Sequence, residues 1–176
     1  NEEHAVCNLA SIAINHSLEP FKSYRSWTIY TKDDCKYCKW AKKFMENKGF
    51  KYVEKNNFDD DINKFLNKKE SNFKVTYPQI LYGKTYVGGF EDMIKFTADK
   101  YNFDKLWDTA YLATINLDKV IDKNYYPTPE TKCSNMRNRP IGLGIQGLSD
   151  TLARMKINFE SQESIDFNSK MMETIY

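Results

Sequence analysis

Long apolar segments and a secretion signal are both missing from this 176-residue sequence. No run of residues is apolar enough to suggest a membrane span, so no membrane partner is expected. An excess of one charge is also missing: 26 basic and 24 acidic residues leave a net charge of +2, and Lys outnumbers Arg 22 to 4. Because the lysines are interspersed with acidic residues, they indicate a solvated surface, and no nucleic-acid partner is predicted.

Cysteine and histidine are scarce, which limits the metal sites that the chain could form. The residues of these two types are Cys7, Cys35, Cys38, Cys133, His4 and His16. A zinc site built on Cys35 and Cys38 would need a second pair of ligands, and the remaining four residues show no paired spacing. No metal is therefore predicted. Four cysteines without a secretion signal suggest a reducing compartment, so a cytoplasmic location is expected.

The sequence also lacks an initiator methionine, and its last residues, Glu173-Thr174-Ile175-Tyr176, fall within a helical pattern. Both observations suggest that the chain is a segment of a longer protein. Its length allows one or two small domains.

The most informative feature that is present is the segment Cys35-Lys36-Tyr37-Cys38. It follows the strand-like run Trp27–Thr31 and precedes a helical pattern, which puts Cys35 at or next to a helix N-terminus. Unpaired N–H groups and the helix dipole favour a thiolate there. A thiolate is the nucleophile of thiol–disulfide exchange, and a cysteine one turn later can resolve the mixed disulfide. A redox role is therefore predicted for both cysteines.

The middle of the chain alternates between strand and helix signals. Gly49 is a typical helix stop, three aspartates at 59–61 suit a helix start, and Gly83-Lys84 suits a tight hairpin turn. The predicted elements lie, in order, at 27–31, 40–45, 52–53, 59–66, 79–82, 85–87 and 90–98. The resulting order β-α-β-α-β-β-α predicts an α/β fold of the thioredoxin type.

Three segments of this region resemble, in order and at fitting separations, the motifs of a dithiol glutaredoxin. They are residues 30–38, Thr76-Tyr77-Pro78-Gln79-Ile80 and Gly88-Gly89-Phe90-Glu91-Asp92. The resemblance implies a thioredoxin-like fold and a cis peptide bond before Pro78. It also implies glutathione as the electron donor, with no permanently bound cofactor.

The same resemblance implies roles for individual residues. Cys35 is expected to be the nucleophile and Cys38 the resolving thiol. The backbone of Tyr77, which stands where the family usually has Val, would pair with the cysteinyl part of glutathione. The implied glutathione-binding residues are Lys32, Tyr37, Tyr77, Pro78, Gly89, Glu91 and Asp92, with Lys32 suited to a carboxylate and Asp92 to the ammonium group. Taken singly, Tyr37 is more often only a surface aromatic, Pro78 only a chain breaker and Gly88-Gly89 only a turn.

The two ends of the chain carry different signals. Apolar residues between Phe103 and Ile121 predict one long amphipathic helix that ends before Pro127, and residues 164–176 predict another. The run 141–148 is apolar and glycine-spaced. A nucleotide-binding loop would need a different glycine spacing, so close backbone packing in a strand explains these glycines better.

Both ends resemble the large subunit of class I ribonucleoside-diphosphate reductase. The similarity lies in residues 5–13, 116–127, 134–135, 139–150 and 167–176. It implies a fragment of an α/β barrel, made of residues 1–20 and 101–176, that is interrupted by an inserted glutaredoxin domain at 21–100. Cys7 would then be one of the two active-site thiols that supply electrons and end each turnover as a disulfide. Cys133 has no counterpart in the family and is expected to be an inert thiol.

The combined interpretation is a part of a ribonucleotide reductase that carries its own glutathione-dependent electron donor for the synthesis of DNA precursors. The implied partners are the remainder of the large subunit, the small radical-generating subunit and glutathione. In the family a mobile C-terminal tail relays electrons to the thiol at the position of Cys7, so that tail is the expected target of the insert. Two alternatives stay open: a stand-alone glutaredoxin-like oxidoreductase, and a docking module whose cysteines are inactive.

Overall fold

A computed structural model describes residues 8–67 and 75–176, which form two compact units. The inner unit is Pro20–Ala98, and the outer unit combines the residues up to Glu19 with Asp99–Tyr176. The chain elements are, in order, β1 (Leu9–Ala13), a 3-10 turn (Ile14–Ser17), β2 (Leu18–Glu19), β3 (Trp27–Tyr30), α1 (Lys36–Asn47), β4 (Tyr52–Lys55), α2 (Asp60–Leu66), β5 (Gln79–Tyr82), β6 (Thr85–Gly88), α3 (Phe90–Phe96), β7 (Lys100–Tyr101), α4 (Phe103–Lys123), α5 (Pro129–Asn138), β8 (Gly142–Gln146), α6 (Leu148–Met155) and α7 (Gln162–Ile175).

The inner unit is built around a four-stranded sheet in the order β4-β3-β5-β6. Strand β4 is parallel to β3, and β5 runs antiparallel to both β3 and β6. Side chains alternate across the sheet. One face buries Trp27 and Ile29 against α1 and α3, and the other buries Tyr30 against Ile62 of α2. The predicted β-α-β-α-β-β-α order and the thioredoxin-like fold are therefore confirmed.

The outer unit contains the two ends of the chain. Strands β1 and β8 form a parallel pair, with Leu9 opposite Gly142 and Ser11 opposite Gly144. The predicted strand at 141–148 is thus confirmed, and its glycines lie against β1, where a Cβ atom on Gly142 would come within 2.3 Å of the Leu9 side chain. The core around this pair consists of Ile12, Ile14, Leu106, Ala110, Leu152, Ile157, Phe167 and Met171.

Short strands mark the two places where the chain passes between the units. Strands β2 and β7 are antiparallel, with Leu18 opposite Tyr101 and Glu19 opposite Lys100. The chain therefore leaves the outer unit and returns to it at neighbouring points. In the part of the chain that the structure describes, no helix has the length and apolar character needed to cross a membrane.

A polar cluster anchors the start of α2 in the inner unit. The Tyr30 hydroxyl donates to Asp59 Oδ1 (2.6 Å), Lys55 donates to Asp59 Oδ2, and Asp59 accepts the N–H of Asp61 (3.1 Å) as the helix cap. The ammonium of Lys55, followed by the Tyr30 hydroxyl, lowers the pKa of Asp59 to about 2 from its ordinary 3.8. The carboxylate is therefore stabilised in the folded state.

This cluster predicts a loss of stability in acid. A carboxyl group whose pKa is depressed in the folded state adds stability above its unfolded pKa, and that stability is lost as the pH falls. Between pH 3.8 and about 2, the unfolding midpoint temperature of the wild type should therefore decrease more steeply than that of Asp59→Asn. Thermal unfolding at a series of pH values measures this, with Asp60→Asn as the neighbouring control. Equal slopes for wild type and Asp59→Asn would contradict it.

Candidate redox site

Cys35 and Cys38 form a disulfide at the start of α1, with Cα atoms 5.2 Å apart. Cys35 is the capping residue of the helix, and its Sγ accepts the N–H of Cys38 (3.1 Å). The helix begins directly after Cys35, so its first-turn N–H groups lack partners within the helix, and the one of Cys38 is bonded to this sulfur. They would stabilise negative charge on Sγ after reduction, which is the property required of a thiolate nucleophile.

The loop that contains Pro78 faces this sulfur. The Tyr77–Pro78 peptide bond is cis, as the resemblance to glutaredoxins implied, and Pro78 is buried. The carbonyl oxygen of Tyr77 lies 3.7 Å from Cys35 Sγ. Because a disulfide sulfur carries no proton, this is a van der Waals contact. The backbone of Tyr77 thus lies beside Cys35 Sγ, the sulfur that the resemblance implied to be the nucleophile.

A polar cavity of about 530 Å³ opens beside the disulfide. Its lining includes three of the predicted site residues, namely Lys32, Cys35 and Cys38. The full lining is Thr31, Lys32, Asp33, Asp34, Cys35, Cys38, Lys39, Lys42, Glu54 and Asn56. The cavity is therefore suited to a charged or polar ligand that approaches the sulfurs.

One hydrogen-bonded group in this cavity was missed from the sequence. Glu54 accepts from the Thr31 hydroxyl (2.7 Å) and from Lys42 Nζ (3.0 Å). These two bonds, the one from Thr31 first, lower the pKa of Glu54 and so keep it ionised. Glu54 lies on β4, which pairs in parallel with β3. Its place in the site could have been predicted only from the register of these two strands. A single sequence does not give that register.

An aromatic stack borders the site on the side of the Pro78 loop. The Tyr77 ring stacks on Phe58, with centroids 5.0 Å apart and planes 12° apart. Lys32 Nζ lies 5.6 Å from the centroid of the same Tyr77 ring. The structure thus brings together two predicted site residues, Lys32 and Tyr77. It adds Phe58, which lies between the predicted elements at 52–53 and 59–66 and was not predicted to belong to the site.

Tyr37, between the two cysteines, lies on the exposed surface of α1. The residue is 51% exposed, and its ring meets that of Trp40 edge to face, with centroids 5.3 Å apart. Lys36 Nζ lies 4.5 Å from the centroid of Trp40. Tyr37 is therefore part of an exposed aromatic pair next to the disulfide, and its role in binding glutathione stays a prediction.

The third predicted motif lies at the start of α3. The N–H of Gly89 donates to Asp92 Oδ2 (2.9 Å). Two groups that were both expected to bind glutathione are therefore bonded to each other. Glu91 and Asp92 are both exposed. A Cβ atom on Gly89 would lie 3.9 Å from the carbonyl oxygen of Pro78, so the second and third motifs are adjacent. The glutathione contacts of these residues stay predictions.

Of the two remaining cysteines, one belongs to the outer unit and the other lies outside the described residues. Cys7 belongs to residues 1–7, so its predicted role as an active-site thiol is not addressed by the structure. Cys133 is a free, exposed thiol on α5. Within residues 8–67 and 75–176, no group of three or more His, Cys, Asp or Glu side chains could hold a metal ion.

Two different protein families match two different parts of the chain. Residues 84–176 match the family described as the barrel domain of ribonucleotide reductase, and residues 27–87 match glutaredoxin. A crystal structure of glutaredoxin 1 from Francisella tularensis is 30% identical and covers 39% of this chain and 86% of that protein, with a TM-score of 0.30.

Curated relatives are large chains of ribonucleoside-diphosphate reductase. Large chain 2 from Saccharomyces cerevisiae is 51% identical over 76 residues, which cover 43% of this chain and 9% of the relative. The large chain from Schizosaccharomyces pombe is 52% identical over 77 residues, which cover 44% of this chain and 10% of the relative. The matched segments thus span about a tenth of the length of these relatives. With more than half of its residues matched, the chain belongs to the barrel-domain family of ribonucleotide reductase, and it carries a glutaredoxin domain within it.

Proposed function

We propose that the inner unit is an inserted glutaredoxin domain that uses glutathione to re-reduce a ribonucleotide reductase large chain. The observation that carries the proposal is the Cys35–Cys38 disulfide at the N-terminus of α1, facing the Pro78 loop. Reduction of a disulfide in this position gives a thiolate that the helix N-terminus would stabilise. The match to glutaredoxin over residues 27–87 supports the same chemistry.

The proposed reaction transfers two electrons through the two sulfurs. The Cys35 thiolate attacks a target disulfide, so a bond forms between Cys35 Sγ and one target sulfur while the other target sulfur leaves and takes a proton. The Cys38 thiolate then attacks Cys35 Sγ, which releases the second target thiol and leaves the Cys35–Cys38 disulfide. Two molecules of glutathione reduce this disulfide and become one molecule of oxidised glutathione.

Glutathione would bind along the loops beside Cys35. The backbone of Tyr77 would pair with its cysteinyl part, and Lys32 would bind a carboxylate. The start of α3, with Gly89, Glu91 and Asp92, would receive the γ-glutamyl end, next to Pro78. Tyr37 would contact the ligand from the exposed surface of α1. These assignments rest on the proximity of the three loops and on the donor and acceptor chemistry of each group.

The outer unit would belong to the reductase itself. We propose that it completes a catalytic barrel with the remainder of the large chain and works with the small, radical-generating subunit. Cys7 would be one of the two thiols oxidised in each turnover, and ribonucleotides would be the substrate of the complete enzyme. The cytoplasm is the proposed location, since glutathione keeps thiols reduced there.

A disulfide-reduction assay tests the proposed function. When the 176-residue chain reduces a small disulfide with glutathione, oxidised glutathione should form, and added glutathione reductase should then consume NADPH at a measurable rate. Cys133→Ser should keep this activity, because Cys133 lies on α5, outside the site. A wild-type chain that shows no activity above the glutathione background would refute the proposal and favour a redox-inactive docking module.

The boundaries of the insert lead to a separate prediction about folding. Residues 20–98 contain a complete sheet with a buried cluster on each face, and the chain enters and leaves through neighbouring strands. A domain with its own core and adjacent ends can fold alone. The excised inner unit should therefore unfold cooperatively and keep the disulfide reductase activity, as measured by circular dichroism and the same assay. An excised unit without a cooperative transition would show that its fold depends on the outer unit.

A further inference from the structure

The buried side chain of Gln79 is bonded to the loop that carries Tyr77. Gln79 is the first residue of β5 and is 2% exposed. Its side-chain amide donates from Nε2 to the carbonyl oxygen of Thr76 (2.7 Å). This bond spans Tyr77 and Pro78, so it closes the turn from which the Tyr77 carbonyl oxygen approaches Cys35 Sγ. A buried polar side chain therefore holds the backbone of this loop.

The other end of the Gln79 amide is bonded as well. The Tyr86 hydroxyl, on β6, donates to Gln79 Oε1. Because the carbonyl oxygen of Thr76 can only accept, the amide must turn its NH₂ group towards Thr76 and its oxygen towards Tyr86. The Tyr86 ring stacks on Phe65, with centroids 5.5 Å apart and planes 16° apart. The network thus favours one orientation of Gln79, with the donor facing the loop.

Burial gives these two hydrogen bonds their effect on the loop. An amide without access to water must find its partners within the protein, and leaving one of its groups unpaired there is costly. Any displacement that moves Thr76 away would leave the Nε2 donor of Gln79 unpaired. Thr76 and Tyr77 precede β5, so they lie outside the backbone ladder of that strand. The Gln79 amide therefore opposes movement of the Tyr77 backbone away from Cys35.

We propose that Gln79 is a positioning residue that holds the Tyr77 backbone beside Cys35 Sγ, where the peptide part of a disulfide substrate would pair with it. The inference rests on the proposed function, because it concerns the substrate of the same thiol exchange. Gln79 acts through the loop and not on the reacting atoms, since its side-chain bonds go to Thr76 and Tyr86. It therefore affects how tightly the substrate binds, whereas the reactivity of the thiolate depends on the N-terminus of α1.

The substitution Gln79→Met tests this proposal, because methionine has a similar length and no donor. The 176-residue chain reduces the mixed disulfide of glutathione with 2-mercaptoethanol at a fixed glutathione concentration, coupled to glutathione reductase and NADPH. We expect KM for the mixed disulfide to rise about tenfold while kcat stays nearly unchanged, the pattern of a lost interaction that is equal in the ground and transition states. Alkylation of reduced Cys35 by iodoacetamide at pH 6 should keep its wild-type rate, because α1 stabilises the thiolate.

A matched control separates positioning from a loss of stability. The Thr97 hydroxyl donates to the carbonyl oxygen of Met93 (2.8 Å), and Thr97 is 5% exposed. Thr97→Val therefore also removes a buried bond from a side chain to a backbone carbonyl, but at the C-terminal end of α3, outside the three motifs. Both Thr97→Val and Gln79→Met should lower the unfolding midpoint temperature, and only Gln79→Met should raise KM. Equal increases of KM in both would mean that Gln79 acts only through stability.

Two further results would overturn the inference. An unchanged KM in Gln79→Met would show that the amide does not position the loop, and slower alkylation of Cys35 would show that the substitution disturbs the whole site. If Gln79→Met does not fold, Tyr86→Phe keeps the ring and removes the hydroxyl that orients the amide. Its KM should rise about threefold, and an unchanged value would count against the proposal. A wild type that does not reduce the probe would refute the proposed function, whereas an active wild type with the same KM as Gln79→Met would refute only this inference.

Discussion

Replacing Cys35 with serine is expected to abolish disulfide exchange, whereas replacing Cys38 with serine should leave glutathione-dependent exchange in place. Cys35 Sγ caps α1 and accepts an N–H from the first turn, so it is the sulfur that the helix can hold as a thiolate. A serine hydroxyl stays protonated and cannot form the mixed disulfide. Cys38 is needed only to resolve a mixed disulfide with a dithiol target, and glutathione can resolve one with itself.

The measurement is NADPH oxidation coupled through glutathione reductase, with a glutathione mixed disulfide as substrate. Cys35→Ser should fall to the uncatalysed rate. After reduction of the wild type, alkylation at pH 6 should also be roughly tenfold faster at Cys35 than at Cys133, since a thiol at a helix N-terminus holds more thiolate than an ordinary one. Cys133 is exposed and Cys35 is nearly buried, so simple access would favour the opposite order. Equal alkylation rates would show that Cys35 is not the activated thiol.

The second large effect is expected in a complete large chain that contains this segment, assayed with its small subunit. A covalently linked donor meets its target at an effective concentration that can reach about millimolar, without any new contact. Ribonucleotide reduction should therefore proceed with glutathione and glutathione reductase alone, with no added glutaredoxin. Cys35→Ser should stop that turnover, and Cys133→Ser, as a control, should not.

External glutaredoxin distinguishes tethering from a passive insert. Added in excess, it should restore turnover to Cys35→Ser while stimulating the wild type only slightly, because the wild type already has a saturating donor. Equal stimulation of both proteins would mean that the tether delivers no electrons, and the insert would then be better explained as a docking module. The expected target is the mobile C-terminal tail that the reductase family uses as a relay, since the resemblance places the equivalent of Cys7 inside the barrel.

Much of the inner unit was predictable because its signals are local. The strand at 27–30, the cap at Cys35 and the hairpin around Gly83 each depend on residues close together in the chain. A helix start, a tight turn and an alternating strand are local interactions, so a single sequence carries them. The family resemblance supplied the cis bond before Pro78, which the structure confirms.

Other elements had no such signal. Helix α5 has a polar sequence without an apolar stripe, and its start is given by Thr128 and Pro129, next to the Pro127 that was predicted only to end the preceding helix. Strands β2 and β7 contain two residues each, too few for any alternation to be seen. The pairing of β1 with β8 joins positions that are more than a hundred residues apart. Their partners depend on burial across the fold, which no short window of sequence contains.

The sequence by itself indicated the two families to which the segments belong, and it predicted a nucleophilic cysteine at a helix start with a resolving cysteine one turn later. Only the tertiary structure decided what surrounds the sulfur. It placed Phe58 against Tyr77, Lys32 over the same ring, and Glu54 between Thr31 and Lys42. The two kinds of feature differ for a physical reason. Helix capping depends on neighbours along the chain. Ring stacking and the pairing of charged side chains instead depend on which distant segments the hydrophobic core brings into contact.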